Sequence, residues 1–286
     1  MGSDPTELAA KLMLNPGLWG MTGEVEKLAR PSIRLTARPA AGGALTVGAS
    51  RLGGLPDLPV GTAWPTWKNT PLAFIAQVRL DEAAPCDPGG CLPKSGLLSF
   101  FYDAHQETYG ADPADRGGWQ VLYHPDGPAS WQPRQPPAGL PAEALFKPCS
   151  VTFAHELTLP VAPAQVQPKI KWSDGQIKHY EQFLESFPTR EDHKTLHHRM
   201  LGHPEQLQDD MPSQCALMAN GVRSIDDPGA AGLLEHKEDW LLLLQVDSDY
   251  NAGMKWATSG MLYYWIERQA LAEARFDRTW LVLQAE

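Results

Sequence analysis

Positive charge is scarce in this chain. Its 286 residues carry 24 Lys and Arg against 34 Asp and Glu, a formal net charge of -10. Nucleic acid and anionic membrane surfaces both need clustered Lys and Arg, so neither is an expected partner. A binder of something basic, or simply a solvated acidic surface, fits this balance. Long apolar runs are missing too, since none approaches the roughly 20 residues needed to cross a bilayer. The start, MGSDPTELAAKLML, lacks a basic stretch followed by an apolar one, so no secretory signal is expected and the reading is cytoplasmic. That start also fits the loose Met-Gly-x-x-x-Ser/Thr myristoylation pattern, with Thr6 at the last position.

Cysteine is equally sparse. Four cysteines are too few for a disulfide scaffold in a chain this long. Cys86 and Cys91 bracket the turn DPGG, which leaves three readings: reduced spectators, a small disulfide loop, or half of a zinc knuckle. A zinc site needs two more ligands, and no second close pair exists. No cofactor is expected.

The familiar catalytic motifs are absent. No Gly-x-x-x-x-Gly-Lys-Ser/Thr phosphate loop occurs, and no Gly-x-Gly-x-x-Gly opens a helix after a strand. Neither a Gly-x-Ser-x-Gly nucleophile elbow nor a His-Glu-x-x-His zinc helix is present. An enzyme is therefore the less expected class.

What the sequence does contain is enough apolar material for a full core: 43% hydrophobic residues over a length that supports one large domain or two packed halves. Helices are expected over 6–14 and 23–30, ended by Asn15-Pro16 and Pro31. SIRLTAR alternates Ile33, Leu35 and Ala37 with polar residues and predicts a strand; a second is expected over 45–49. PLAFIAQVRLD, SGLLSFFYD, WQVLYHP and VTFAHELTLP read as further strands, with a Pro/Ala/Gly-rich loop over 125–148. SDGQIKHYEQFLESFP predicts a helix capped by Ser173 or Asp174, and 190–201 a second one ending at Gly202. WLLLLQVDSD, SGMLYYWIE and TWLVLQ return to strands, with a helix over 268–275.

Three of these strands recur in order. FIAQVRLD matches LLLQVDSD, aligning Gln77 with Gln245; SGLLSFFYD matches SGMLYYWIE; WQVLY matches WLVLQ, aligning Trp119 with Trp280. The expected architecture is α+β: duplicated, mostly antiparallel β-sheet modules. The two repeats span about 31–125 and 150–286 of a single domain, after N-terminal helices at 5–30 and with a helical segment inserted between the halves.

The same phrases, with GGLPDLPVGTAWP, MLGHPEQLQDDM and RFDRTWLVLQ, resemble the bacterial YwqG-like family over about 52–284. Gly253-Met254-Lys255-Trp256 varies that family's usual run, and the Cys86/Cys91 loop lies outside its pattern. The resemblance implies an α+β cytoplasmic protein with related halves and no assigned reaction. Members sit in bacterial genomes, in places beside secreted-toxin loci, which implies an immunity or protein-binding role by association.

Candidate sites are read against their plainer alternatives. His193 and His197 stand i, i+4 on the expected helix and could hold a metal with Asp192 or His203; the alternative is a solvated face beside Glu191 and Lys194. In DSDYN, Asp247, Asp249 and Asn251 place oxygens as a calcium loop begins, but Ala252 and Thr258 exclude an EF-hand. They serve either a less regular polar-ligand site or an Asx turn. His203, Gln208 and Asp210, in HPEQLQDDM, would face the same cleft or form a solvated loop. In RLGGLPDLPVGTAWP, only Arg51 and Asp57 carry a functional claim; the loop feeds a strand, so its role is otherwise scaffold. Among ten tryptophans, Trp240, Trp256, Trp265 and Trp280 are expected in the core, and Trp64, Trp67, Trp119 and Trp131 nearer the surface.

The leading expectation is a non-catalytic binding or interaction protein, with an immunity-like role and a protein partner. The alternatives are a metal-assisted hydrolase using the acids and histidines of the C-terminal half, and a carbohydrate-binding module.

Overall fold

The structure, a computed structural model, describes residues 4–40, 45–188 and 196–285. Helices α1 (Pro5–Met13) and α2 (Thr22–Leu28) open the chain, and β1 (Arg30–Pro39) follows. Short strands β2 (Arg51–Leu52), β3 (Asp57–Pro59), β4 (Thr66–Trp67) and β5 (Thr70–Pro71) lead into β6 (Ala73–Arg79). After a single turn of helix, α3 (Leu80–Ala83), come β7 (Leu97–Tyr102), β8 (Trp119–His124), β9 (Trp131–Pro133) and β10 (Cys149–Thr158). The second part runs α4 (Pro163–Val166), α5 (Asp174–Leu184), β11 (Arg199–Leu201), α6 (Met211–Met218) and α7 (Ala230–Glu235). It closes with β12 (Trp240–Asp247), β13 (Gly260–Glu267), α8 (Arg268–Ala272) and β14 (Trp280–Ala285).

Ten strands form one sheet in the order β14-β13-β12-β11-β1-β10-β2-β6-β7-β8, paired antiparallel throughout. The order is symmetric about the long central pair. β1 runs against β10 for ten residues, then pairs on its other side with β11, while β10 pairs with β2. Each central strand thus begins one half of the chain and hydrogen-bonds into the other. Both β6 and β12 carry a register shift at matching places, between Phe74 and Ala76 and between Leu242 and Leu244.

The wings of the sheet curl onto one core. Phe100 on β7 meets Tyr264 on β13 edge to face at 5.1 Å, and Trp119 on β8 meets Trp280 on β14 at 4.8 Å. The Trp119 indole donates across to the Thr279 carbonyl (3.0 Å), and Trp280 to that of Gly110 (3.0 Å). Gly110 has φ +71, and a Cβ there would lie 1.8 Å from the Leu281 carbonyl oxygen, so only glycine lets the two edges approach. A smaller core joins α1, α2 and α5 through Leu12, Val25, Tyr180 and Phe183. α5 has the expected Ser173 cap, completed by Gln176 as a capping box.

Several expectations are corrected. Residues 45–49 form a turn, with the Ala49 N–H donating to Thr46, and pairing passes instead to Arg51–Leu52. The helix expected over 190–201 does not form at its described end: β1 and β12 both recruit Arg199–Leu201 as a strand, and Leu201 at φ 60 turns the chain out. Asp192, His193 and the rest of 189–195 lie outside the described residues. α6 and α7 were not expected. Trp119 and Trp131 are buried in strands rather than surface-facing, whereas Trp19 is exposed. All four cysteines are free thiols.

Candidate functional site

The opening loop builds a closed ionic cluster. Arg51 leaves β2 opposite Gln77 on β6, and its Nη2 meets Asp57 Oδ2 at 2.6 Å with both side chains buried. The Gln77 amide donates to the same Asp57 oxygen (2.8 Å) and accepts from the Asp57 N–H (2.8 Å). Arg51 Nη1 also donates to the Leu55 carbonyl (3.1 Å). Burial lowers the Arg51 pKa and Asp57 opposes it; a guanidinium stays charged regardless. Ligand access to Arg51 or Asp57 is therefore closed.

A second cluster repeats this wiring in the C-terminal half. Arg199 lies opposite Gln245, and its Nη1 donates to the carbonyl of His203 (3.0 Å), four residues on as in the first cluster. Gln245 accepts from the Glu205 N–H (2.9 Å) as Gln77 does from Asp57. Where Ser50 Oγ accepts from the Arg79 N–H (2.9 Å), His198 Nδ1 accepts from the Asp247 N–H (3.1 Å). With Nδ1 an acceptor, the neutral ring carries its proton on Nε2 and donates to Asp249 Oδ2 at 3.4 Å. The carboxylates differ, however: Glu205 is partly exposed, 3.7 Å from Arg199 and 3.3 Å from His197 Nδ1.

Asp247 and Asp249 are thus drawn to the His197–His198 segment. Burial raises the Asp247 carboxyl, against the His197 N–H it accepts. Burial also pushes Asp249 upward, but the bonds from His198 and from the Asn251 and Ala252 N–H groups outweigh it and hold Asp249 below the usual range. Asn251 is exposed, and its N–H closes an Asx turn on Asp249 (2.8 Å).

Of the HPEQLQDDM residues only Glu205 reaches the His197–His198 segment; His203, Gln208 and Asp210 do not join it. His203 turns its ring to the Leu28 carbonyl (Nε2 donating, 2.7 Å), and burial, with Arg30 and Arg199 nearby, pushes its pKa down to about 3. Asp210 accepts from Ser213 Oγ (2.6 Å) and pairs with Lys237 (2.5 Å), while Gln208 is exposed and donates to the Ala285 carbonyl (2.6 Å). Among the described residues, no group of three or more His, Cys, Asp or Glu is placed to hold a metal ion.

His203 and Asp210 do line a cleft of about 260 Å³, which Asp247 and Asp249 do not reach. Trp240, Leu242 and Trp265, all buried in the main core, line its base, and the exposed Val161, in the turn before α4, lines it too. Arg30, held to Glu238 at 3.3 Å, and Arg268 stand at its margin. The Trp265 indole N–H is buried with no acceptor among the described residues. Trp240 and Trp265 are buried in the core as the sequence leads one to expect, and it is their edges that line the cleft; Arg268 and Val161 carry no motif.

Residues 50–285, from the Arg51 loop to the last strand, match the family described as Domain of unknown function (DUF1963). The chain belongs to that family. No curated protein matches it. The DUF1963 match holds both ionic clusters and nearly all of the cleft, including its floor; Arg30 and the N-terminal helices lie before it. No helix among the described residues of this DUF1963 chain is long and apolar enough to cross a membrane.

Proposed function

We propose that this DUF1963 protein is a non-catalytic binding protein, built from two copies of one β-module, whose cleft beside His203 receives a protein partner. The sequence resemblance to YwqG-like proteins points the same way, with an immunity-type role as one form of it. The cleft carries the reading. It joins apolar lining from Val161, Trp240 and Trp265 to a rim of mixed charge, with Arg30 and Arg268 beside Asp87, Asp210 and Glu238, and an apolar centre with a polar rim is a feature of recognition surfaces. Among the described residues no activated nucleophile stands on it: partial desolvation and the neighbouring Asp87 raise the Cys91 thiol, and His203 is committed to a backbone carbonyl. Two copies of one module account for the symmetric strand order, the matched register shifts and the twin Arg–Gln clusters.

The hydrolase alternative gains nothing from this geometry, because His203, Asp210 and Asp249 each face a different partner. A sugar platform of exposed tryptophans gains nothing either, with Trp119 and Trp131 buried. The test is affinity capture with the tagged full chain in its native host, beside Arg268→Glu. A stoichiometric partner whose retention drops at least tenfold in the variant is expected; capture of no stoichiometric partner sinks the proposal.

A further inference from the structure

The two edges of the large sheet end differently. In an antiparallel ladder, successive residues turn their backbone N–H and carbonyl groups to opposite neighbours. On the β14 side the Ser248 N–H donates to the Gly260 carbonyl (3.2 Å), and that bond fixes the alternation: Trp280, Val282 and Gln284 face β13. Leu281, Leu283 and Ala285 therefore face outward, and the chain caps this edge itself. The Leu283 N–H donates to the Tyr109 carbonyl (3.2 Å), and the Gln208 amide donates to the carbonyl of Ala285 (2.6 Å).

On the β8 side the Leu80 N–H donates to the Gly96 carbonyl (3.0 Å). By the same alternation Gln120, Leu122 and His124 face β7, while Trp119, Val121 and Tyr123 face away from it. No described residue hydrogen-bonds those outward backbone groups. A slot of about 300 Å³ runs there, lined by β8 from Trp119 to Leu122 and by Asp277 and Thr279. Val121 is only 4% exposed, so its outward groups meet solvent through this slot. Unpaired edge groups are a template for a further strand, and β8 carries none of the lysines or prolines that block such pairing. Arg116 also lines the slot. Its Nη2 donates to the Ala219 carbonyl (2.8 Å) and its guanidinium lies 4.9 Å over the Trp280 ring, which holds the group in place. Arg116 makes no ion pair among the described residues; burial and the nearby Arg278 both lower its pKa, though a guanidinium stays charged. Asp277, the one acid of the lining, is spent on Arg275 (3.2 Å). An entering carboxylate would find an unpaired cation already in position.

We infer that the free edge of β8 takes an added strand, an extended segment of a partner polypeptide whose acidic side chain pairs with Arg116. Backbone hydrogen bonds to Val121 and Tyr123 supply the affinity, and the carboxylate fixes the register. The slot shares no lining residue with the cleft beside His203, so the inference stands apart from the reading of that cleft.

The probe is a capped pentapeptide, Thr-Val-Asp-Val-Thr, titrated into the ¹⁵N-labelled full chain while amide hydrogen exchange is followed. In the free chain the Val121 and Tyr123 amides are expected to exchange fast, and those of Leu122 and His124, bonded to β7, slowly. Saturable binding that slows exchange at Val121 and Tyr123 is expected. It should be at least tenfold weaker when the peptide's N–H groups are methylated, because methylation removes strand pairing and keeps the side chains. Arg116→Glu is expected to weaken the Asp peptide at least tenfold and to leave one with Asn in its place within twofold. No binding, protection confined to another region, or undiminished binding of the methylated peptide would each overturn the inference. Val121 and Tyr123 amides as slow as their neighbours in the free monomer would show the edge closed by the chain itself, and overturn it too. So would a chain that sediments as a dimer with those amides protected, since the edge then belongs to a second copy.

Discussion

Arg51 and Arg199 make the same bond to a backbone carbonyl and live in different surroundings. Asp57 is wholly buried against its arginine, so truncating it strands a charge in the interior. Asp57→Ala is expected to cost about 3–5 kcal/mol in urea unfolding, and Glu205→Ala, partly exposed and 3.7 Å from Arg199, under about 1 kcal/mol. His203 supplies a pH signature. Its folded pKa, about 3, lies below the ordinary 6.5, so between those values the unfolded chain binds a proton the native one refuses. Its contribution therefore makes stability fall as pH drops from 6.5 toward 3, by about 1.4 kcal/mol per unit. His203→Gln keeps an N–H donor for Leu28 but does not titrate. Denaturation at stepped pH should show wild type losing stability more steeply than the variant below pH 6, with a constant difference above pH 7. Asp57 is legible as the loop's one acid, but its burial is not, because that needs Gln77 to reach it from β6 while the pairing of β2 with β6 holds the nearby Arg51 against it.

Elements are where the sequence is most readable. Ile33, Leu35 and Ala37 alternate, and all three are buried in β1. The apolar runs ahead of Gln77 and Gln245 became β6 and β12, and Ser173 caps α5, because these signals are local. The failures come where pairing overrides propensity. Residues 196–201 follow a helical spacing of apolar and polar groups, yet β1 offers Arg34, Ile33 and Ser32 as strand partners for Arg199, Met200 and Leu201 in turn. At 45–49 the apolar pattern is present, but Arg51 Nη2 takes the Thr46 carbonyl and Asp57 takes the Gly48 N–H, so the chain is held as a turn. DSDYN behaves as the Asx alternative foresaw, with one carboxylate of Asp249 shared between a turn N–H and His198.

At the scale of the molecule, the halves are one unit, since each donates a central strand to the other and their aromatic edges interlock. The Trp119–Trp280 contact should therefore couple the halves. A double-mutant cycle with Trp→Leu at both positions is expected to return about 0.5–1.5 kcal/mol of interaction energy, within a single unfolding transition. Additive effects, or two separate transitions, would contradict that linkage. The recurrence of three strand phrases is a property of the linear chain, and so are the strands, the capped helix and the want of a catalytic motif. Which segments meet is not. The exchange of β1 and β10, the closing of Gln77 over Asp57, the separation of Asp249 from His203 and the burial of Trp240 and Trp265 all depend on contacts between residues far apart in sequence. Periodicity reports only which side of an element is apolar; which partner covers that side, Trp64 at Phe101 or the opposite wing's Tyr264 at Phe100, is decided when the sheet closes.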